Sequence, residues 1–298
     1  MRVAISGSSG LIGTALGARL SARGDEVLPL RRGPPEDPRA LWDPAAGWIR
    51  DGALDGVDAV VHLAGAGIAD RRWTGARRRT IWESRVDSAR LLVGHIAALA
   101  QRPRVFLSAS AVGFYGSRGD ETLTEQSARG DGFLAELCEA WEREAVRVEA
   151  SGVRSVQMRT AGIVLARGHG ALGRMAPIFR LGLGGRIGSG GQWMTWIALA
   201  DEVAAIEHLL AEGSISGPVN VLAPEPVANA VFTRALAGQL HRPAILPAPA
   251  FALRLIFGVL AEETLLASQR VLPVRLLESG FQPAHPDLDG ALAATLAG

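Results

Sequence analysis

Val3-Ala4-Ile5-Ser6-Gly7-Ser8-Ser9-Gly10-Leu11-Ile12-Gly13 decides the fold of this chain. A short apolar strand runs into a three-glycine turn, and the pattern over Thr14 to Ser21 predicts a helix. Gly7 suits the tight bend, Gly10 lets the backbone approach a ligand, and Gly13 lets the helix pack closely. A helix N-terminus presents unpaired N–H groups and a positive dipole end, so the turn reads as a pyrophosphate cradle. The glycine spacing alone is weak, but here a strand precedes it and a helix follows.

The next strand, Glu26 to Leu30, is followed at once by Arg31-Arg32. An acidic residue at this place holds the ribose 2′-hydroxyl of NAD. Arginine there suits a 2′-phosphate instead, which implies NADP(H). The competing reading is a pair of arginines on a solvated loop.

The chain has no lysine, so all 31 basic residues are arginine, and Tyr115 is its one tyrosine. Schiff-base chemistry and a lysine-assisted tyrosine are thereby excluded. The net charge of +1 gives no basic field to attract nucleic acid or an anionic membrane. One cysteine, Cys138, cannot form an internal disulfide, and no metal-ligand spacing is present. The stretch Phe251 to Leu260 contains Arg254 and is too short for a membrane span. A strand beginning at residue 2 leaves no leader sequence, so a cytoplasmic protein is expected.

Strand and helix signals alternate for 165 residues, which argues for a doubly wound parallel α/β sheet. Leu41 to Pro44 and Gly47 to Ile49 read as a short strand and turn. Asp58 to Leu63 reads as a buried strand ending in the small residues Ala64-Gly65-Ala66-Gly67. A helix is expected through Ile81 to Leu99, a strand over Arg104 to Ser108, a helix over Gly132 to Ser151, and a strand over Val153 to Thr160. Gly168 to Gly191 reads as a mobile glycine-rich segment of the kind that closes over ligands. Later come helices over Asp201 to Leu210, Asn229 to Leu240 and Phe251 to Leu277, the last interrupted near Pro273, a strand over Gly217 to Val221, and an edge strand at Gly280 to Pro283 followed by a short helix.

The glycine turn, the strand Ala59 to Leu63 with Ala64-Gly65, and Ser108-Ala109-Ser110 resemble the extended short-chain dehydrogenases and the NAD-dependent epimerases and dehydratases. Further motifs are similar to an epimerase-like subfamily once labelled as cell-division inhibitor relatives. They are Ile68 to Thr74, Ser108 to Gly116, Gly130 to Leu134, Trp141-Glu142, Gly188 to Met194 and Gln269 to Pro273. The resemblance implies a Rossmann-type domain with bound NADP(H) and a small, mostly helical C-terminal domain on the substrate side. The expected division is 1–165 for the dinucleotide domain and 166–298 for the substrate side, interleaved, with 217–222 returning to the sheet.

The chain departs from this pattern in three places. The wider superfamily's Tyr-x-x-x-Lys is replaced by Phe133 and Leu137, neither able to move a proton. A histidine expected after Trp196-Ile197 is absent, and Ala198-Leu199-Ala200-Asp201-Glu202 stands there. Ser88-Ala89 occupies the place of a common Gly-Thr pair.

The expected dinucleotide contacts are Gly7, Ser9, Gly10, Leu11, Ile12, Gly13, Arg31, Arg32, Leu63, Ala64, Gly65, Arg85 and Ser108. Ser110 and Tyr115 are the catalytic candidates. Ser110 stands at the superfamily's serine position with one inserted residue, and its alternative is a serine satisfying loop backbone. Tyr115 needs a cation such as Arg85 to become a useful acid or base, and its alternative is structural. Arg71 and Arg72 suit an anionic substrate. Gln192, Trp193 and Trp196 either line a substrate pocket or pack in the core. The function implied is an NADP(H)-dependent oxidoreductase or nucleotide-sugar epimerase acting on a small polar carbonyl or hydroxyl compound. The alternative is a silent NADP(H)-binding sensor acting through a partner. Leu265 to Leu277 reads as packed on the domain or as the surface of a homodimer.

Overall fold

The computed structural model describes residues 1–297. Its main sheet has six strands: β1 (Arg2–Ser6), β2 (Glu26–Leu30), β3 (Ala59–His62), β4 (Val105–Ala111), β5 (Arg154–Thr160) and β6 (Gly217–Val221). In space they run β6-β5-β4-β3-β1-β2. The registers across β2, β1, β3 and β4 are parallel. Ile5, Val60, Val61 and Phe106 are fully buried, as expected for apolar strands covered on both faces. Strand order reverses between β1 and β3, and ligands of such sheets bind outside the carboxyl ends at this switch point. The fold is the expected Rossmann-type doubly wound one.

The helices are α1 (Leu11–Ala22), α2 (Gly75–Trp82), α3 (Ser88–Ala98), α4 (Phe133–Val146), α5 (Gly170–Arg180), α6 (Leu199–Ala211), α7 (Asn229–Gln239), α8 (Ala250–Phe257), α9 (Val274–Glu278) and α10 (Leu288–Ala297). Among the described residues no helix is long and apolar enough to cross a membrane. The chain forms two compact units. The first comprises 1–110, 137–158 and 206–219; the second comprises 111–136, 159–205 and the chain from 220 onward. The interleaving is finer than one division at residue 165, and 217–221 return to the sheet as β6. The first unit's core gathers Leu54, Val60, Leu92, Ile96, Phe106 and Val148 around Trp42. The second packs Leu172, Phe179, Trp196, Phe232, Leu236 and Leu292.

Several local expectations give way to tertiary contacts. Helix α1 starts at Leu11, ahead of Thr14, because Gly10 takes the extended N-cap conformation. The helix expected over 81–99 forms and is widened within by a π-helical turn, Glu83–Asp87. The glycine-rich 168–191 segment contains α5, whose Leu172, Ala176 and Phe179 recur at helical spacing and are buried. The helix expected over 251–277 ends at Phe257, because Gly258 takes φ +61°. Beyond it Arg270–Val271 pairs with Thr122–Leu123, and Val271 and Leu276 are fully buried, so this segment packs within its own unit. Helix α8 instead exposes Phe251 and Leu255. No strand forms at 280–283. The amides of Ala284 and His285 are held by the Asp201 carboxylate, both at 2.9 Å, which fixes a loop there.

Candidate functional site

Gly7 follows β1 directly and takes φ +71°. A Cβ on it would lie 2.8 Å from the Leu63 carbonyl and the Ala64 amide nitrogen, so glycine is required by conformation and by space. This close approach joins the ends of β1 and β3. On Gly13 a Cβ would meet the Gly7 oxygen at 2.3 Å, so this glycine serves the packing of helix on turn. Gly10 caps α1 with no side-chain acceptor, and no acid stands in the first turn. The amides of Leu11, Ile12 and Gly13 have no acceptor within the helix. Ser9 and Gly10 are exposed beside them. An anion is the natural partner for this helix end.

At the end of β2 the backbone of Arg31 accepts hydrogen bonds from Leu41 and Trp42, which fixes the main chain. Both arginine side chains are exposed, and neither forms an ion pair among the described residues. The Arg39 amide and, more weakly, the Arg31 charge lower the pKa of Asp37. An uncapped helix end after β1 and two guanidinium groups after the neighbouring β2, unengaged among the described residues, fit a phosphorylated dinucleotide.

Arg85 occupies the π-helical turn, an irregularity common at functional sites. Its guanidinium lies against Gly65, where a Cβ would fall 2.9 Å from Cζ, and it donates to the Ala66 carbonyl at 2.9 Å. Its Cζ stands 5.5 Å from the centre of the Trp141 ring. Burial, with a smaller contribution from Arg77, lowers its pKa to about 10. Arg85 thus braces Gly65-Ala66, just beyond the end of β3, by way of the backbone.

The buried Ser110 hydroxyl donates to Glu142 Oε1 at 2.6 Å. Glu142, on α4, was not among the expected site residues. The signal available was its place in the Trp141-Glu142 motif; its pairing with a serine 32 positions away was not readable. Ser108, also buried, turns its hydroxyl to the Ala109 carbonyl at 3.2 Å.

Tyr115 requires correction as a catalytic candidate. It is fully buried, donates to Asn220 Oδ1 at 2.7 Å and accepts from Arg159 at 2.9 Å. Burial outweighs the Arg159 charge and pushes the phenol up to about 12. Its environment is that of a structural tyrosine.

Trp196 is likewise a core residue, 1% exposed, donating to the Glu225 carbonyl at 3.0 Å. Gln192 ties down the Ile187 and Leu265 carbonyls. Trp193 donates to Asp120 at 2.8 Å and carries Arg270 over its ring. These contacts make all three part of the second unit's own framework. Arg71 and Arg72 lie exposed before α2, with no side-chain hydrogen bond or ion pair among the described residues. Arg77, on α2, turns inward to the Gly67 carbonyl and Asp70. The second unit also holds a cavity of about 230 Å³ lined by Gly113, Gly116, Ser117, Asp131, Leu134, Glu262, Glu263 and Leu266.

Residues 3–221 match the model of the NAD dependent epimerase/dehydratase family, and residues 248–295 match a domain of unknown function. Epimerase family protein Mb2239 of Mycobacterium bovis is 44% identical over 291 residues, covering 97% of this chain and 96% of that protein. Human epimerase family protein SDR39U1 is 37% identical over 300 residues, covering 100% of both. The crystal structure of human SDR39U1 isoform 2 with NADPH superposes with a TM-score of 0.89 at 33% identity, covering 100% of this chain and 99% of that one. A nucleoside-diphosphate sugar epimerase from Corynebacterium glutamicum superposes with a TM-score of 0.81 at 37% identity, covering 99% of this chain and 58% of that one. The glycine cradle, the sheet order and these likenesses converge: the chain belongs to the NAD dependent epimerase/dehydratase family.

Proposed function

We propose that this protein binds NADP(H) at the glycine turn and acts as an oxidoreductase or epimerase on a small polar carbonyl or hydroxyl substrate, a nucleotide sugar being one such compound. The observation that carries the reading is the uncapped, exposed end of α1 together with the unpaired Arg31 and Arg32 after β2. The human relative crystallised with NADPH supports it. The Leu11, Ile12 and Gly13 amides would hold the pyrophosphate, and Arg31 with Arg32 the 2′-phosphate. When bound, the nicotinamide supplies hydride transfer.

The protein's own contribution is proton transfer and orientation. With Phe133 and Leu137 at the usual Tyr and Lys places, Ser110 and Glu142 take that role. The Ser110 hydroxyl passes its proton to the Glu142 carboxylate as it accepts one from a substrate hydroxyl, and the reverse path serves reduction. Arg71 and Arg72 attract the anionic part of the substrate. A second reading is a sensor that binds NADP(H) without turnover; the loss of the usual pair at Phe133 and Leu137 favours it.

The test begins with cofactor-free protein titrated with NADPH and with NADH, read by energy transfer from the seven tryptophans. NADPH binds preferentially, and Arg31→Asp weakens it about tenfold to a hundredfold, the scale of a charge-assisted bond. Equal binding of the two cofactors would refute the arginine argument; binding of neither would refute the proposal. Turnover lost in Ser110→Ala and Glu142→Gln separates the enzyme from the sensor.

A further inference from the structure

His62 ends β3, fully buried, and its ring is boxed by three aromatic side chains. Phe106 stacks on it at 6.2 Å between ring centres, and Trp42 and Trp141 meet it edge-on at 6.1 Å each. Both ring nitrogens are nevertheless engaged. Nδ1 lies 2.6 Å from Ser6 Oγ and Nε2 lies 3.1 Å from Ser88 Oγ. The directions of these bonds follow from their outer partners. The Ala64 amide donates to Ser6 Oγ at 3.3 Å, and the Ser6 hydroxyl donates onward to Nδ1. Nδ1 is then bare and the ring proton sits on Nε2, donating to Ser88 Oγ. Ser88 passes its own hydrogen to the Ser84 carbonyl at 2.8 Å. Every group in this chain donates once in one sense, so the network is satisfied with a single neutral tautomer. Burial, reinforced by the Arg85 charge, lowers the His62 pKa to about 3 and keeps it neutral.

The two ends of the chain hold the same strip. At one end Ser6 holds the Ala64 amide. At the other, the Ser84 hydroxyl accepts from the Ala66 amide at 3.0 Å, and Arg85 donates to the Ala66 carbonyl. Ala64-Gly65-Ala66 lies beside Gly7 at the switch point, where a dinucleotide is received. We infer that His62 is a positioning residue for the bound dinucleotide: it ties Ser6, next to the glycine turn, to Ser88 in the helix following Arg85, and so sets the strip between them. The inference rests on the proposal that NADP(H) occupies this cradle.

Ser6→Ala and Ser88→Ala each break the chain with a small change, on different elements. Both variants and their combination are titrated with NADPH, and ¹⁵N spectra of the His62 ring are recorded. Each single variant weakens NADPH about tenfold, the scale of one lost hydrogen bond. The double variant is no weaker than either single one, since one chain is broken once. The spectrum of the parent shows an Nε2-protonated neutral ring, and Ser6→Ala shifts it toward a mixture of tautomers. Loss of fold in one variant leaves the other to decide. Parent-like NADPH affinity in the folded variants, or additive weakening, overturns the positioning role while NADP(H) binding by the parent still stands. A parent protein that does not bind NADPH overturns both.

Discussion

Glu202 should make the protein less stable as the pH rises from 5 to 8, and Glu202→Gln should remove that dependence. The carboxyl is 1% exposed. Oε1 accepts from Thr160 Oγ1 at 3.0 Å, while Oε2 has no hydrogen-bond partner among the described residues. Burial, against that one hydrogen bond, raises the pKa from 4.5 to about 8. A raised pKa means that the folded state holds a proton the unfolded chain releases. The stabilisation is therefore complete below the unfolded value and lost as pH rises through the folded one. Between these limits the loss is about 1.4 kcal/mol per pH unit, or about 4 kcal/mol from pH 5 to 8. His62 acts in the opposite sense: its lowered pKa makes stability fall as pH drops from 6.5 toward about 3. Comparing the parent with Glu202→Gln at each pH cancels that contribution. The assay is urea unfolding of both proteins at half-unit intervals from pH 5 to 8, with the variant gaining on the parent throughout. A constant gap, or one that closes with rising pH, would refute the reasoning.

Two further predictions concern residues that join distant parts of the chain. Tyr115→Phe loses its bonds to Asn220 and Arg159 and should cost about 1–3 kcal/mol in urea unfolding while leaving NADPH affinity unchanged. Turnover lost at unchanged stability would return Tyr115 to the chemistry. Glu263 accepts from the amides of Phe133 at 3.0 Å and Leu134 at 2.8 Å, so a carboxylate caps α4 from 130 residues away. Glu263→Ala should cost about 0.5–2 kcal/mol, measured as a lower urea midpoint, and an unchanged midpoint would show that the cap contributes nothing.

The first strand, the glycine turn, β2 and β6 were legible because each rests on local chemistry: apolar runs between turn residues, and glycines whose spacing matches one tight bend. The place of Arg31 and Arg32 directly after β2 was legible for the same reason, while their contact with a 2′-phosphate belongs to the proposal. The irregularities of the longer helices were not. The π-helical turn at Glu83–Asp87 has no sequence punctuation; it is held by Arg85 against Gly65 and by Ser88, contacts made across the fold. Helix α5 was hidden by glycines that its buried Leu172 and Phe179 override.

The candidate chemistry divides along the same line. Sequence by itself determined the cradle and excluded lysine chemistry, because the absence of a residue type and the form of a tight turn need no partner to be read. Which serine faces a carboxylate, that Tyr115 is sealed between Arg159 and Asn220, and that His62 has a partner on each nitrogen were decided by tertiary structure alone. Those pairings span 26 to 105 positions of chain. A hydrogen bond depends on where two groups lie in space, and only the packing of buried strands and helices brings such groups to one place.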